Sequence, residues 1–355
     1  MRRTGIRKKP RVSVLIPASN AGCYIEASLA SALRQSEPDL EVIAVNNGSS
    51  DDTEDRLRKC TDSRLHVITQ ATPGLPQALN TAILAARADY IAFLDADDIW
   101  LPEKLARHLE VHHRQPEIDA TFSWVRVIDA HGDPMRMPCP RWRGSMNFSS
   151  LLSDYSVRTM SAVVMRRAAA VEAGLLDPAF TRCEDIDFFL RVALLRPNNI
   201  LAVPQVLNLY RRHAGQRTCE WSKIRDGWNE LLEKMRGLAP AETGRVERIA
   251  SSNMYRYFAF LAYVGGDFRQ ATALAARSFA LSRSAFFLDA RNWKMSAAVV
   301  ASRIVPRRAL AALEYFAGLE SSGNPRMAEH SRPQNGRRPE AHINGTQAAL
   351  AQKIR

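Results

Sequence analysis

Apolar and polar positions alternate along the first part of the chain in a way that changes period every ten residues or so. Residues 12–16 form an apolar, β-branched run stopped by Pro17, which reads as a strand. Residues 24–35 follow with Ile25, Leu29, Ala32 and Leu33 at helical spacing. The alternation then recurs. Residues 40–45 read as a second strand closed by Asn46-Asn47-Gly48-Ser49, and 52–60 as a short polar helix with Ser50 or Asp51 placed to cap it. Residues 65–68, 77–87 and 90–94 continue as strand, helix and strand. A chain in which strands and helices take turns predicts an α/β fold with an open, mostly parallel sheet and helices on both faces. Ligands of such sheets settle at the carboxyl ends of the strands.

Further along, 101–114 reads as a helix with Pro102 in its first turn, 121–129 and 160–166 as strands, and 184–195 as a helix with Phe188, Phe189 and Val192 on one side. From Trp221 the texture changes to long helical patterns over 228–235, 246–264, 268–282 and 293–304, punctuated by Gly265-Gly266 and Pro306 without a regular repeat. From Ser321 the chain is rich in small polar residues and arginine and reads as a disordered tail. The expected division is a basic tail over 1–11, an α/β domain over 12–220, a helical domain over 221–320 and a polar tail over 321–355.

Composition narrows the class. The chain has 355 residues, 46% hydrophobic and 24% charged, so it can bury a large core and is neither disordered throughout nor embedded in a membrane. Its formal net charge is +12, partly from Arg2, Arg3, Arg7, Lys8, Lys9 and Arg11 at the start. No aromatic-interleaved basic patch of the kind that binds single strands accompanies that charge, so a nucleic-acid partner is not expected. The five cysteines are scattered without a C-x-x-C spacing, which points to a reducing cytoplasm rather than to a disulfide framework or zinc site. No apolar run approaches the ~18 residues of a spanning helix.

The chemistry concentrates at strand ends. Phe93-Leu94-Asp95-Ala96-Asp97-Asp98-Ile99-Trp100 sets three carboxylates directly behind an apolar run. Acids there can cap a helix, but Asp95 and Asp97, two apart on a turn, can also share a divalent cation such as Mg²⁺ or Mn²⁺, which prefers hard oxygen ligands. Glu184-Asp185 opens a second acidic site at a helix start, and Tyr210-Arg211-Arg212-His213 offers forked donors and an imidazole.

Five stretches taken in order resemble glycosyltransferase family 2, which has the GT-A nucleotide-diphospho-sugar transferase fold. They are VSVLIPASN at 12–20, VIAVNNGSSDDT at 42–53, GLPQALNTAI at 74–83 with YIAFLDADDIWLPEKL at 90–105, SAVVMRRAAAVEAGLLDPAF at 161–180 leading into CEDIDFFLRVA at 183–193, and LYRRH at 209–213. The resemblance covers about residues 12–215, with the C-terminal helical region beyond it. It implies an inverting, metal-dependent transferase using Mg²⁺ or Mn²⁺. Asp97 is implied as metal ligand, with Asp95 at the metal or ribose, Asp98 in support and His213 at the metal or diphosphate. Asp185 is implied as the general base, with Glu184 as its alternate. Donor contacts are expected from Pro17, Ala18, Asn20, Asn47, Ser49, Asn80 and Arg211.

The donor implied is a UDP-sugar, with dTDP and GDP as alternatives. The acceptor is a hydroxyl of a glycan or lipid-linked glycan in cell-surface polysaccharide or lipopolysaccharide assembly, reached by a cytoplasmic enzyme in peripheral contact with the membrane's inner face. Trp100 and Trp124 are candidates for either core or acceptor surface, and the Pro- and Arg-rich stretch 137–144 with Trp142 is a candidate lid. Two positions depart from the family: Ser19 stands where many relatives have an aromatic, and Asn47 where many have an aspartate. They motivate a second reading, a nucleotide-sugar binding subunit without turnover. A nucleotidyltransferase would need a Gly-rich phosphate loop with lysine near the first strand, which Pro17-Ala18-Ser19-Asn20 is not.

Overall fold

The computed structural model describes residues 9–70, 73–137, 139–213 and 215–304. The expected tail over 321–355 and most of the basic segment over 1–11 lie outside the described residues. Nine strands among them form one mixed sheet: β1 Val12–Ala18, β2 Leu40–Asn47, β3 Leu65–Gln70, β4 Tyr90–Phe93, β5 Ile99–Trp100, β6 Ala120–Ile128, β7 Ser145–Met146, β8 Val163–Arg166 and β9 Ile200–Arg211. The order is β3-β2-β1-β4-β8-β6-β9-β5, with β7 paired to β9. The strands β3, β2, β1 and β4 are parallel, as the alternating pattern predicts. Beyond them β8 runs antiparallel to both β4 and β6, while β6 and β9 are parallel.

Twelve helices accompany the sheet: α1 Ile25–Leu33, α2 Thr53–Lys59, α3 Leu75–Ala85, α4 Lys104–Arg114, α5 Phe148–Ser153, α6 Arg167–Glu172, α7 Glu184–Leu195, α8 Trp221–Leu238, α9 Pro240–Val264, α10 Phe268–Leu281, α11 Arg283–Leu288 and α12 Ala290–Ile304. Side chains alternate across a strand, so β1 sends Val12, Val14 and Ile16 to one face and Leu15 to the other. The first face packs with Ile25 and Leu29 of α1, Leu57 of α2 and Leu105 and Leu109 of α4. The opposite face packs with α3 and α7, and its cluster runs on through Trp228 and Leu231 of α8, Phe258 of α9 and Leu274 of α10. The helical region therefore shares a continuous apolar core with the sheet.

Register fixes where the strands end. Ala18 lies opposite Asn46, Asn47 opposite Gln70 and Leu15 opposite Phe93, so β1, β2 and β4 release their loops at one edge. Two sequence-based boundaries move for a reason. Residues 160–162, expected as the start of a strand, form a 3-10 turn because Thr159 accepts the Ser161 N–H at 3.2 Å and Ser161 Oγ accepts the Asp95 N–H at 2.9 Å. The helix expected from residue 101 begins at Lys104, because the Leu101 N–H is held by Leu207 O at 3.0 Å on β9.

Candidate active site

The strand-end loops, the segment 152–160, the start of α7 and the helical region enclose a cleft of about 880 Å³. The acidic loop after β4 is one wall. Ser28 of α1 donates to the carbonyls of Ala96 and Asp98 at 2.8 and 2.6 Å, which fixes the turn. Asp95 and Asp97 line the cleft. Asp95 accepts the Thr159 hydroxyl at 3.0 Å, and burial, then the neighbouring Asp97 charge, pushes its pKa up to about 6. Asp98 turns the other way. It is fully buried, accepts the Arg211 N–H at 2.9 Å, and is pushed well above the usual carboxylate range by burial and by its two acidic neighbours.

That bond draws the end of β9 alongside the loop. His213 Nε2 lies 3.0 Å from Asp97 Oδ2 and its ring packs against Tyr24 at a tilt of 39°, with centroids 4.9 Å apart. Arg211 is buried, with its guanidinium carbon 4.9 Å from the centroid of the Tyr24 ring and its nitrogens committed to the carbonyls of Asp97 and Ala130 at 2.8 and 3.0 Å. It is not among the residues that line the cleft. Among the described residues no three acidic, histidine or cysteine side chains form a ready metal cluster. The donor set itself, carboxylates of Asp95 and Asp97 with the His213 imidazole, fits Mg²⁺ or Mn²⁺, which leave positions for phosphate oxygens.

The second acidic pair sits at the start of α7. Cys183 enters the helix at φ +62, and Glu184, Asp185 and Asp187 in the first turn complement the helix dipole. The two candidates for base part here. Glu184 is buried and paired with Arg217 at 2.6 Å, whereas Asp185 accepts the Tyr155 hydroxyl at 3.0 Å and the Ile186 N–H at 2.9 Å. Burial first, and the Glu184 charge second, raise Asp185 to about 6. Burial and Asp185 likewise keep the proton on Tyr155, so the phenol is the donor.

The expected donor contacts divide. Pro17, Asn20 and Asn47 line the cleft, as does Ser19. Asn20, at φ +50, joins the first two loops: its Oδ1 accepts the Ser50 N–H at 2.8 Å and its N–H donates to Ser49 Oγ at 3.1 Å. Asn47 Oδ1 accepts from Gly74 N and Gln70 Nε2, both at 2.8 Å. Ala18 is buried in the strand and Ser49 serves the loop contact, and neither lines the cleft. Asn80 exchanges two hydrogen bonds with the Leu176 backbone, at 2.8 and 2.9 Å, and also lies outside the lining. Of the tryptophans, Trp100 is fully buried with its Nε1 on Ser161 O at 2.8 Å, and Trp124 donates to Trp142 O at 2.8 Å. Neither lines the cleft, and from the described part of 137–144 only Pro140 does.

Sequence reasoning missed Tyr155, Arg158 and Thr159, and also Asn253, Arg256 and Tyr257 of α9, all of which line the cleft. The first three lie in an irregular segment that carries no period. The α9 residues lie in a helix whose pattern indicates packing, not which flank faces a cavity.

Comparison with known proteins bears on the family and the fold. Residues 13–173 match the family described as Glycosyl transferase family 2. An Escherichia coli relative, UDP-Glc:alpha-D-GlcNAc-diphosphoundecaprenol beta-1,3-glucosyltransferase WfgD, is 28% identical over 194 residues, which is 54% of this chain and 72% of that protein. The putative teichuronic acid biosynthesis glycosyltransferase TuaG of Bacillus subtilis is 43% identical over 105 residues, but these span only 29% of this chain and 42% of TuaG. In fold, the chain is similar to S. aureus TarS 1–349 in complex with UDP-GlcNAc, with a TM-score of 0.57 at 17% identity over 88% of this chain and 91% of that one. It is also similar to the mannosyltransferase PcManGT of Pyrobaculum calidifontis in complex with GDP-Man and Mn²⁺, with a TM-score of 0.55 at 18% identity over 88% and 86%.

Proposed function

We propose that this chain, a glycosyltransferase of family 2 with the GT-A fold, moves one sugar from a nucleoside diphosphate donor to an acceptor hydroxyl in a single displacement that inverts the anomeric centre. The observation that carries the reading is the pairing of Asp185 with Tyr155 in the cleft that Asp95 and Asp97 also line. Asp185 is the general base: it has no cationic partner among the described residues and is raised to about 6, so at neutral pH it is ionised and still basic enough to take a hydroxyl proton. Tyr155 orients the carboxylate. Glu184, neutralised by Arg217, holds the first turn of α7 and acts through position.

Asp95, Asp97 and His213 would hold a Mg²⁺ or Mn²⁺ ion, and such an ion, when bound, supplies positive charge to the leaving diphosphate. Asn20 and Asn47, on the loops after β1 and β2, bind the nucleoside. UDP is the leading nucleotide, with dTDP and GDP as the alternatives. The acceptor class is a glycan or lipid-linked glycan of cell-surface polysaccharide assembly, in keeping with the names of WfgD and TuaG. No helix among the described residues is long and apolar enough to cross a membrane, and the net charge of +12 suits contact with an anionic membrane face.

The test is a donor screen on purified protein with Mn²⁺ or Mg²⁺, following nucleoside diphosphate release, with Asp97→Ala and Asp185→Asn as controls. One donor consumed by wild type and by neither variant supports the reading. Binding of donors with turnover no better than that of the variants, in the presence of membrane extract as acceptor source, refutes it.

A further inference from the structure

Among the described residues, five arginines line the cleft. Four face carboxylates: Arg182 with Glu220 at 2.5 Å, Arg217 with Glu184 at 2.6 Å, Arg291 with Asp154 at 2.7 Å and Arg256 with Asp289 at 3.7 Å. The fifth, Arg158, makes no hydrogen bond or ion pair among the described residues. Its guanidinium carbon lies 5.8 Å from the centroid of the Tyr257 ring. Its backbone sits at φ +70, in the left-handed region that an arginine adopts only when its surroundings require it. Against burial, its surroundings, Tyr257, Cys139, Tyr210 and Asp154, favour the charged form, but Asp154 is already paired with Arg291, so an anion at bonding distance from the Arg158 guanidinium is left for a ligand to supply.

A neighbouring arginine has an unmatched donor. The Nε of Arg256, one residue before Tyr257 on α9, is buried with no hydrogen-bond partner among the described residues. Burial, and then the charge of Arg291, depress the Arg256 pKa to about 10 against the opposing charges of Asp289 and Asp154. Arg158 also joins the two acidic centres through its own chain. Thr159, next to it, holds Asp95, and Tyr155, three residues before, holds Asp185. The groups that act on Arg158 are Tyr257 of α9, Cys139, Tyr210 of β9 and Asp154, whereas Asn20 and Asn47 are on the loops after β1 and β2.

We infer that Arg158, assisted by Arg256, binds an anionic group of the acceptor, a phosphate ester or a carboxylate, and so presents the acceptor hydroxyl to Asp185. The inference rests on the reading of Asp185 as base and adds the acceptor's charge to it. A planar guanidinium matches two oxygens of either group, and the Tyr257 ring lies 5.8 Å from it. An uncharged acceptor would leave the cation unmatched.

The experiment uses the full chain and inorganic phosphate as probe. UDP, dTDP and GDP are first titrated with Mg²⁺ present, which tests the nucleotide-sugar reading alone. Phosphate is then titrated by calorimetry into protein saturated with whichever nucleotide binds. The expected result is phosphate binding alongside the nucleotide, weakened by about tenfold or more in Arg158→Gln and Arg158→Gly and largely kept in Arg158→Lys. Glycine accepts φ +70 without strain, so Arg158→Gly removes the charge while its melting temperature reports an intact fold. Competition between phosphate and nucleotide would assign the cation to the donor's diphosphate and overturn the inference. So would phosphate failing to bind wild type, or binding both charge-removing variants unchanged. If no nucleotide binds, the donor reading fails by itself and the same phosphate titration on free protein still decides the role of Arg158.

Discussion

Tyr155 donates its phenolic proton to Asp185 at 3.0 Å, while the adjacent Glu184 is paired with Arg217 at 2.6 Å. Two neighbouring acids thus have opposite environments, one neutralised by a cation and one held by a neutral donor. Replacing Asp185 by Asn is expected to lower kcat by about 10²–10⁴-fold with donor KM little changed, and Glu184→Gln to cost less. Steady-state kinetics on the two variants check this, and equal losses would remove the distinction.

The same environment fixes an acid limb. With Asp185 at about 6, turnover is expected to fall about tenfold per unit below pH 6, as the base takes up its proton. The Tyr155 hydroxyl stabilises the ionised form, so Tyr155→Phe should move the limb to higher pH. A kcat/KM profile of both proteins measures the shift. An unmoved limb would mean that another group sets it.

Stability should respond with the opposite sign. The folded pKa of Asp185 is raised above its ordinary value of 3.8, so between that value and about 6 the folded state holds more protons than the unfolded one. Stability from this group is present at low pH and lost as pH rises through 6. Asp185→Asn lacks that loss, so the variant should be the more stable protein at pH 8, on the order of 2 kcal/mol, and match wild type near pH 3.5. Denaturant titrations at the two pH values test it.

The three aspartates of the strand-end loop divide in the same manner. Asp97 lines the cleft and touches His213, whereas Asp98 is fully buried and accepts the Arg211 N–H at 2.9 Å. Asp97→Ala is therefore expected to abolish turnover with an unchanged melting temperature. Asp98→Ala leaves that N–H buried and unpaired, at a cost of about 1–3 kcal/mol, and should lower the melting temperature by several degrees. Thermal melts beside a donor assay distinguish the two. Removing divalent ions with a chelator should stop turnover of wild type and restore on addition of Mn²⁺ or Mg²⁺.

Much of this was legible in the chain. The parallel half of the sheet follows from the alternation of short apolar runs with helical spacing, and α7 begins and ends where Glu184 and Leu195 predict. That Asp95, Asp97 and Asp185 share one cleft was readable, because a turn or helix start at a strand end sets their neighbours. Arg211 and Asn80 do not line the cleft, and the partners that hold them are remote in sequence: Arg211 meets Asp97 O across 114 residues and Asn80 meets the Leu176 backbone across 96. Tyr155 and Arg158 lie in an irregular segment shaped by contacts with α7 and α9, and nothing in a one-dimensional pattern records those contacts.

Gly227 links the helical region to the turn before Asp185, the proposed base. A Cβ placed there would meet Arg182 O at 2.8 Å and Arg182 Cβ at 2.9 Å, and neither the backbone oxygen nor its own Cβ can swing aside. Helix α8 therefore presses on the turn that delivers Cys183 and then Glu184 and Asp185 into α7. Gly227→Ala relieves a helix-interior glycine, a gain of about 1 kcal/mol taken alone, but forces the two elements apart, a cost of about 1–3 kcal/mol. The balance should be a modest loss of stability and a larger loss of kcat than of donor affinity, because the displaced turn carries the base and not the nucleoside contacts. Gly237, on the same helix with nothing within 4 Å of its Cβ position, supplies the control: Gly237→Ala should be neutral or stabilising and leave turnover intact. If Gly227→Ala behaves like Gly237→Ala in both melting and turnover, α8 does not position the base.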